Sequence, residues 1–278
     1  MGIGDQESGI GHLPPLRDVV AGAGLEAKKG LGQHFLLDMN LTRKIVRQAG
    51  DLTGVTVFEI GPGPGGLTRA LLESPARQVI AIEKDPRCVA ALAPLVEAAR
   101  GRLRLIEGDA LDIALPTLAD APRKIVANLP YNVGTVLLVA WLKQIEAFQS
   151  LTLMFQVEVA DRLLAQPGTK AYGRLSVLTQ SVAAAKKALA LPAAAFTPPP
   201  KIDSAVVHIT PRPRAAEPTP LANLERLTAA AFGQRRKMLR SSLKGLIAEQ
   251  VLIDLGIPPT ARAENVSVAL FERLATRL

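Results

Sequence analysis

Asn128-Leu129-Pro130-Tyr131 sets an amide, an apolar residue, a proline and a phenol directly behind the apolar run Ile125-Val126-Ala127. The Asn128 side-chain oxygen and the Leu129 carbonyl are acceptors, Pro130 fixes φ and keeps the residue before it extended, and Tyr131 offers a ring. These groups suit an aromatic amine such as the exocyclic amine of adenine. Its hydrogens need acceptors, and its ring needs a surface on which to stack.

Something must aim that tetrapeptide. From Val55 the chain alternates β-branched runs with helical stretches: Val55–Ile60, a helix from Leu67, Val79–Ile82, a helix from Val89, Leu103–Ile106, Lys124–Ala127, a helix from Thr135, and Leu151–Phe155. This rhythm predicts βαβ units and a parallel sheet. Ligands of open α/β sheets bind beyond the carboxyl ends of the strands, where this chain has Gly61, Glu83, Asp109 and Asn128.

The loop Gly61-Pro62-Gly63-Pro64-Gly65-Gly66 contains G-x-G-x-x-G between a strand and a helix, with Glu83 about 20 residues on, which taken literally is a dinucleotide fingerprint. Pro62 and Pro64 argue against a pyrophosphate, because each deletes a backbone N–H that a phosphate would need. Glu59 would also bring negative charge beside it. A sulfonium cofactor, S-adenosylmethionine, reverses both objections, since it has no phosphate and gains from nearby carboxylates. Glu83 would then accept from the ribose diol and Asp109 from the cofactor's adenine amine. The bland alternative for either carboxylate is a strand-end turn or a helix cap.

The bulk properties narrow the class. With 278 residues, 48% of them hydrophobic and 4% aromatic, the chain predicts an aliphatic core and two domains rather than disorder. No apolar run approaches a membrane span and no signal-peptide order opens the chain, so a soluble, cytoplasmic protein is expected. One cysteine, Cys88, leaves no internal disulfide and reads as buried filler; His12, His34 and His208 are scattered and predict no metal site. A net charge of +8 with pI near 9.9 favours a polyanionic partner.

Elsewhere, residues 1–12 read as a flexible tail, Leu16 to Ala23 as a short helix, and Lys28 to Leu36 as a basic, glycine-broken loop into the helix of Leu41, Ile45, Val46 and Ala49. Val157–Leu164 predicts an amphipathic helix with a surface pair Glu158–Arg162. Leu175–Val182 and Lys186–Leu191 read as strands, as does Ala205–Ile209. Between them Phe196-Thr197-Pro198-Pro199-Pro200-Lys201 forms a stiff loop presenting Phe196 and Lys201, with core filler as the alternative for Phe196. Trp141 reads as core. The proline-rich stretch from Pro211 to Pro220 marks a boundary, which divides the chain into an extension (1–25), a catalytic domain (26–212) and a helical domain (213–278). In the last, Arg235, Arg236, Lys237, Arg240 and Lys244 form either a solvated helix face or an RNA-backbone contact.

Taken together, Gly32-Gln33-His34-Phe35-Leu36, Glu59-Ile60-Gly61-Pro62-Gly63, Asn128-Leu129-Pro130-Tyr131 and Phe196 to Val206 resemble the ribosomal RNA adenine dimethyltransferases, and the proline loop resembles the small-subunit (16S rRNA) branch. The resemblance implies a Rossmann-like, class I S-adenosylmethionine-dependent methyltransferase domain plus a small all-helical C-terminal domain, acting as a monomer with no metal and no membrane. The implied substrate is a pair of adjacent adenosines in the 3′-terminal hairpin of small-subunit rRNA, each methylated twice on N6 during ribosome biogenesis. By the family pattern, cofactor contacts fall on His34, Leu36, Gly61, Glu83, Asp109 and Asn128. From the residues themselves, base contacts are expected at Asn128, Leu129, Pro130, Tyr131 and Phe196, and RNA contacts at Lys201, Arg235, Arg236, Lys237 and Arg240. The family more often carries Asn at the position of His34, and a basic residue at that of Val157.

Overall fold

The structure, a computed structural model, describes residues 9–25, 33–213 and 220–278. The expectations for residues 1–8, for Lys28 to Gly32 and for the heart of the proline-rich stretch (214–219) lie outside the described residues.

In chain order the elements are α1 (Leu16–Gly22), β1 (Phe35–Leu36), α2 (Met39–Arg47), β2 (Thr56–Ile60), α3 (Gly66–Leu72), β3 (Gln78–Glu83), α4 (Pro86–Ala98), β4 (Leu103–Glu107), β5 (Arg123–Asn128), α5 (Gly134–Leu142) and β6 (Ser150–Gln156). They continue with α6 (Val157–Leu164), α7 (Arg174–Val182), β7 (Ala183–Leu191), β8 (Phe196–Thr197), β9 (Ser204–Pro211), α8 (Leu221–Gly233), α9 (Leu239–Ser242), α10 (Glu249–Asp254) and α11 (Val268–Ala275).

Seven strands form one sheet in the order β4-β3-β2-β5-β6-β9-β7. β2 pairs in parallel with both β3 and β5, so strand order reverses there and the crevice at its carboxyl end is the expected ligand site. β9 runs antiparallel to β6, from Leu151 opposite Ile209 to Gln156 opposite Ser204. β2 is buried at every residue, as a strand covered on both faces must be, which accounts for its apolar spelling apart from Thr56 and Glu59. Val57, Val79, Val126, Leu71 and Leu92 belong to the core around it, each such fully buried side chain contributing roughly 1.5–3 kcal/mol. Lys124 anchors the start of β5 by donating to the Ala49 and Asp51 carbonyls at 2.9 and 2.6 Å.

Register carries this order to the site. β2 and β5 pair as Thr56 with Arg123 through Phe58 with Ile125, which brings Asn128 level with Gly61. Gly61 N–H donates to Ile82 O at 2.9 Å, so the ends of β2 and β3 are level too.

Spatial grouping gives two compact units: Met1–Leu138 with Glu146–Val157 and Lys187–Ile209, and Val139–Ile145 with Glu158–Lys186 and Thr210–Leu278. The grouping thus differs from a single cut near 212, because α6 and α7 belong with the C-terminal helices. Within that unit Tyr172 is fully buried and donates to Val266 O at 2.9 Å, and Phe232 packs between Tyr172 and Phe271 with ring centroids 6.0 and 5.5 Å away.

Two expectations of local structure are overturned. Leu175–Val182 is not a strand but most of α7. Ser176 Oγ donates to Arg162 O, and Gln180 donates to Leu163 O and Ala165 O, so one side of α7 satisfies the open carbonyls at the end of α6. Residues four apart reach one helix end in this way only when they are themselves helical, because in a strand they would be about 13 Å apart. The basic run Arg235-Arg236-Lys237 does not lie on a helix face either. It occupies the turn between α8 and α9, where Gln234 leaves helical geometry and Lys237 N–H closes on Gln234 O. Cys88 and Trp141 are buried as expected, and Glu158 and Arg162 form their ion pair.

Candidate active site

The glycine loop is built for close approach. A Cβ on Gly66 would stand 2.2 Å from Leu36 O, so only glycine lets β1 lie against the start of α3, and Gly65 combines φ +91° with Leu92 2.8 Å from where its Cβ would be. Three of its donors are already committed. Gly61 N–H goes to Ile82 O, Gly63 N–H to Glu83 Oε2 and Gly65 N–H to Pro62 O, while Pro62 and Pro64 have none. A loop with these N–H groups turned inward is no cradle for a pyrophosphate.

Acceptors, by contrast, crowd the cleft that this loop borders, which has a volume of about 170 Å³ and lies wholly within the first unit. Glu83, 6% exposed, takes Gly63 N–H on one oxygen and Asp85 N–H on the other, at 3.0 and 2.8 Å, and burial lifts its pKa above the usual carboxylate range. Those bonds fix the carboxylate's orientation and leave further lone pairs on each oxygen. Asp109 accepts from Lys84 Nζ at 2.7 Å and from Leu111 N–H at 3.0 Å, and the Lys84 bond holds its pKa below the ordinary value. Asp85 caps α4 and is gripped by Arg87 and Gln33, of which the Arg87 bond contributes most to lowering its pKa to about 2. Glu59 is 1% exposed on the cleft wall, and burial pushes its pKa up to about 8.

A cleft rich in carboxylates, beside a loop with two prolines and three of its donors committed, fits a ligand that brings hydroxyl and amine donors and positive charge but no phosphate. S-adenosylmethionine has that character. Gly61, Glu83, Asp109 and Asn128 all line the cleft, as do His34 and Leu36, so it gathers every expected cofactor residue.

The Asn128 amide is locked. Its Nδ2 donates to His34 O at 3.1 Å, and because a carbonyl can only accept, this bond fixes which end of the amide is NH2 and leaves Oδ1 as an acceptor. The Pro130 carbonyl takes the N–H groups of Val133 and Gly134, starting α5, and Leu129 is buried beneath. Tyr131 is held by a 2.6 Å bond between its hydroxyl and Ser204 Oγ, with the His34 ring 5.3 Å from its own at a tilt of 31°. His34 Nδ1 carries its proton to Pro198 O at 2.8 Å, so the imidazole links the NLPY turn to the proline loop.

Phe196 is the correction here. It is 2% exposed and packed in the core that includes Leu36, Met154 and Val206, and it is not among the cleft residues. The cause is β8, which pairs with β1 so that Leu36 stands opposite Phe196 and Phe35 opposite Thr197. Alternation along the strand turns Phe196 inward while Thr197, Pro198 and Pro199 remain exposed and Pro200 is buried. Tyr131, half-buried, is therefore the aromatic ring that the NLPY turn contributes to the cleft. Lys201 is exposed beyond the same loop. Three partners escaped sequence reasoning. Asp85 had a signal, an acid directly before Pro86 at a helix start, whereas Lys84 and Ser204 had none.

A family model described as ribosomal RNA adenine dimethylase matches residues 24–278. The chain belongs to the ribosomal RNA adenine dimethylase family. It is 59% identical over 276 residues to a Ruegeria ribosomal RNA small subunit methyltransferase A, covering 98% of this chain and 99% of that protein. Among solved structures it is similar to a dimethyladenosine transferase from Plasmodium falciparum (TM-score 0.73, 26% identity, 87% of this chain and 96% of that one). It is also similar to the 23S rRNA methyltransferase ErmE (TM-score 0.62, 27% identity, 88% and 99%). The fold is thus that of a class I S-adenosylmethionine-dependent methyltransferase.

For a ribosomal RNA adenine dimethylase the exposed cations also matter, and the structure divides them. Arg235 donates to the Lys170 and Tyr172 carbonyls at 3.0 and 3.1 Å and lies 3.8 Å from Glu264, so it staples its own unit. Arg240 faces Glu249 at 4.0 Å. Arg236 and Lys237 extend from the same turn, and among the described residues no side chain pairs with them.

Proposed function

We propose that this dimethylase transfers methyl groups from S-adenosylmethionine to N6 of two adjacent adenosines in the 3′-terminal hairpin of small-subunit rRNA, twice on each, in the cytoplasm during subunit assembly. The observation that carries the chemistry is the locked Asn128 amide, whose NH2 is spent on His34 O while its oxygen stays available beside the Leu129 carbonyl. Relatives named as small subunit methyltransferases support the choice of RNA.

When bound, S-adenosylmethionine supplies an electrophilic methyl group. The chain's own residues do the rest. The target base must leave its stack to reach the cleft, and Tyr131, braced by Ser204, offers it a face worth about 1–3 kcal/mol. Asn128 Oδ1 and the Leu129 carbonyl accept the N6 hydrogens, which draws the nitrogen lone pair out of conjugation and sets its direction. No group need remove a proton beforehand, because the N6 proton becomes acidic only as the new N–C bond forms and then passes to water. After one methylation a single hydrogen remains for Asn128 to hold, and rotation about C6–N6 presents it again.

Transfer of tritiated methyl groups to unmethylated small subunits, large subunits and DNA in parallel tests this reading. Label should enter the small-subunit rRNA as dimethyladenosine; label confined to large subunits or DNA refutes it.

A further inference from the structure

Glu59 is unused by the chemistry above. It sits mid-sheet near the end of β2, 1% exposed, on the wall of the cleft. Its Oε2 lacks a hydrogen-bond partner. Thr68 on α3 is the nearby hydroxyl, and it favours the ionised form by less than burial disfavours it. A buried carboxylate normally collects donors, because leaving one unpaired is costly. Here the donors have gone elsewhere: Gly63 N–H, the loop amide between Glu59 and α3 in sequence, serves Glu83.

The surrounding charges do not help it. Glu83, at the end of β3, is the charged group that acts on Glu59, and it has the same sign. Of the other charged groups bordering the cleft, Lys84 is paired with Asp109, and Asp85 is held by Arg87. Among the described residues no cation offsets Glu59, and a cation brought in by the ligand would favour its ionised form.

We propose that Glu59 is protonated in the ligand-free cleft and gives up that proton when the positively charged methionine arm of S-adenosylmethionine enters, so that cofactor binding and proton release are one event. The carboxyl O–H breaks heterolytically, the proton passes to solvent, and the carboxylate remains as counterion to the arriving cation. Burial with Glu83 alongside raises the Glu59 pKa to about 8 in the empty site, which makes the neutral form dominant at pH 7. The consequence is a cleft that stays uncharged at this point until its ligand brings the matching charge. It rests on the methyltransferase reading and adds a proton to it.

Calorimetric titration at pH 7 in phosphate, HEPES and Tris, whose ionisation enthalpies differ, counts protons directly. Wild-type protein should release about one proton per S-adenosylmethionine bound and none with adenosine, which lacks the charged arm. Below pH 8 the affinity should rise by nearly tenfold per pH unit, as one-proton linkage requires. Glu59→Gln, which mimics the neutral carboxyl, should bind with no release and a flat pH profile. Infrared difference spectra of the wild type should lose a protonated-carboxyl band on binding, a readout that survives should the variant fail to fold. Zero proton release by the wild type, release of equal size with adenosine, or undiminished release by Glu59→Gln would overturn the proposal. If S-adenosylmethionine does not bind at all, the methyltransferase reading falls and this inference with it.

Discussion

Substituting Asn128 separates two things the amide does, since alanine removes both and aspartate removes one. Asn128→Ala deletes the acceptor for the N6 hydrogens and leaves His34 O without its 3.1 Å donor. Loss of one preorganised polar contact to a reacting group costs about 10²–10³ in rate, or roughly 2.7–4 kcal/mol. Asn128→Asp keeps the acceptor but turns a carboxylate oxygen toward the His34 carbonyl in place of the NH2, so a bond becomes a repulsion. An unsatisfied or repelled buried acceptor costs about 1–3 kcal/mol, so aspartate should slow transfer by about 5- to 150-fold if that cost falls on the transition state. Single-turnover methyl transfer to unmethylated small subunits, at S-adenosylmethionine concentrations saturating for each variant, measures the two losses. Thermal melts check that the fold persists. Wild-type turnover by Asn128→Asp would show that the His34 bond is irrelevant to catalysis. A rate loss in Asn128→Ala that vanishes at saturating cofactor would reduce Asn128 to a cofactor ligand.

Gly66→Ala should lower the melting temperature and weaken S-adenosylmethionine binding together, because its Cβ would meet Leu36 O at 2.2 Å and overpacking of this kind typically costs about 1–3 kcal/mol; unchanged melting and binding would refute the close approach. The pKa of Glu59 is raised in the fold, so the ligand-free native state binds more protons than the unfolded chain between about pH 4.5 and 8 and loses stability as pH rises through that window. At about 1.4 kcal/mol per unit, Glu59→Gln should stabilise the ligand-free protein by a margin that grows from pH 5 to 8, in denaturant titrations across that range. Arg236→Ala with Lys237→Ala should leave melting unaltered and flatten the salt dependence of RNA binding by up to about 0.9 for each phosphate no longer neutralised, whereas Arg235→Ala should lower the melting temperature by freeing the Lys170 and Tyr172 carbonyls.

What could be read from the sequence was whatever a short stretch decides alone. The strand ends Gly61, Glu83, Asp109 and Asn128 were legible because β-branched runs alternating with helices leave few topologies, and a parallel sheet puts its ligand at those ends. What distant partners decide was not legible. Val177, Thr179 and Val182 spell a strand, yet Ser176 and Gln180 find the open end of α6 and the segment becomes a helix. Phe196 beside three prolines reads as surface, yet pairing of β8 with β1 turns it into the core. The basic run looks uniform in sequence, yet Arg235 is spent on two carbonyls that only the folded unit brings within reach.

The same division explains why position 128 carries an amide. The cleft already holds Glu59, Glu83 and Asp109, and two of these acids have pKa values raised by burial. A carboxylate at position 128 would add like charge to that group and would turn an oxygen toward the His34 carbonyl where the amide turns its NH2. An amide accepts without charge, and its second function, donation to His34 O, keeps it from rotating its NH2 toward the substrate. Charge in the cleft is thereby reserved for the cofactor side, and the base side works by direction. A site so arranged should tolerate changes in pH at the base and respond to them at the cofactor.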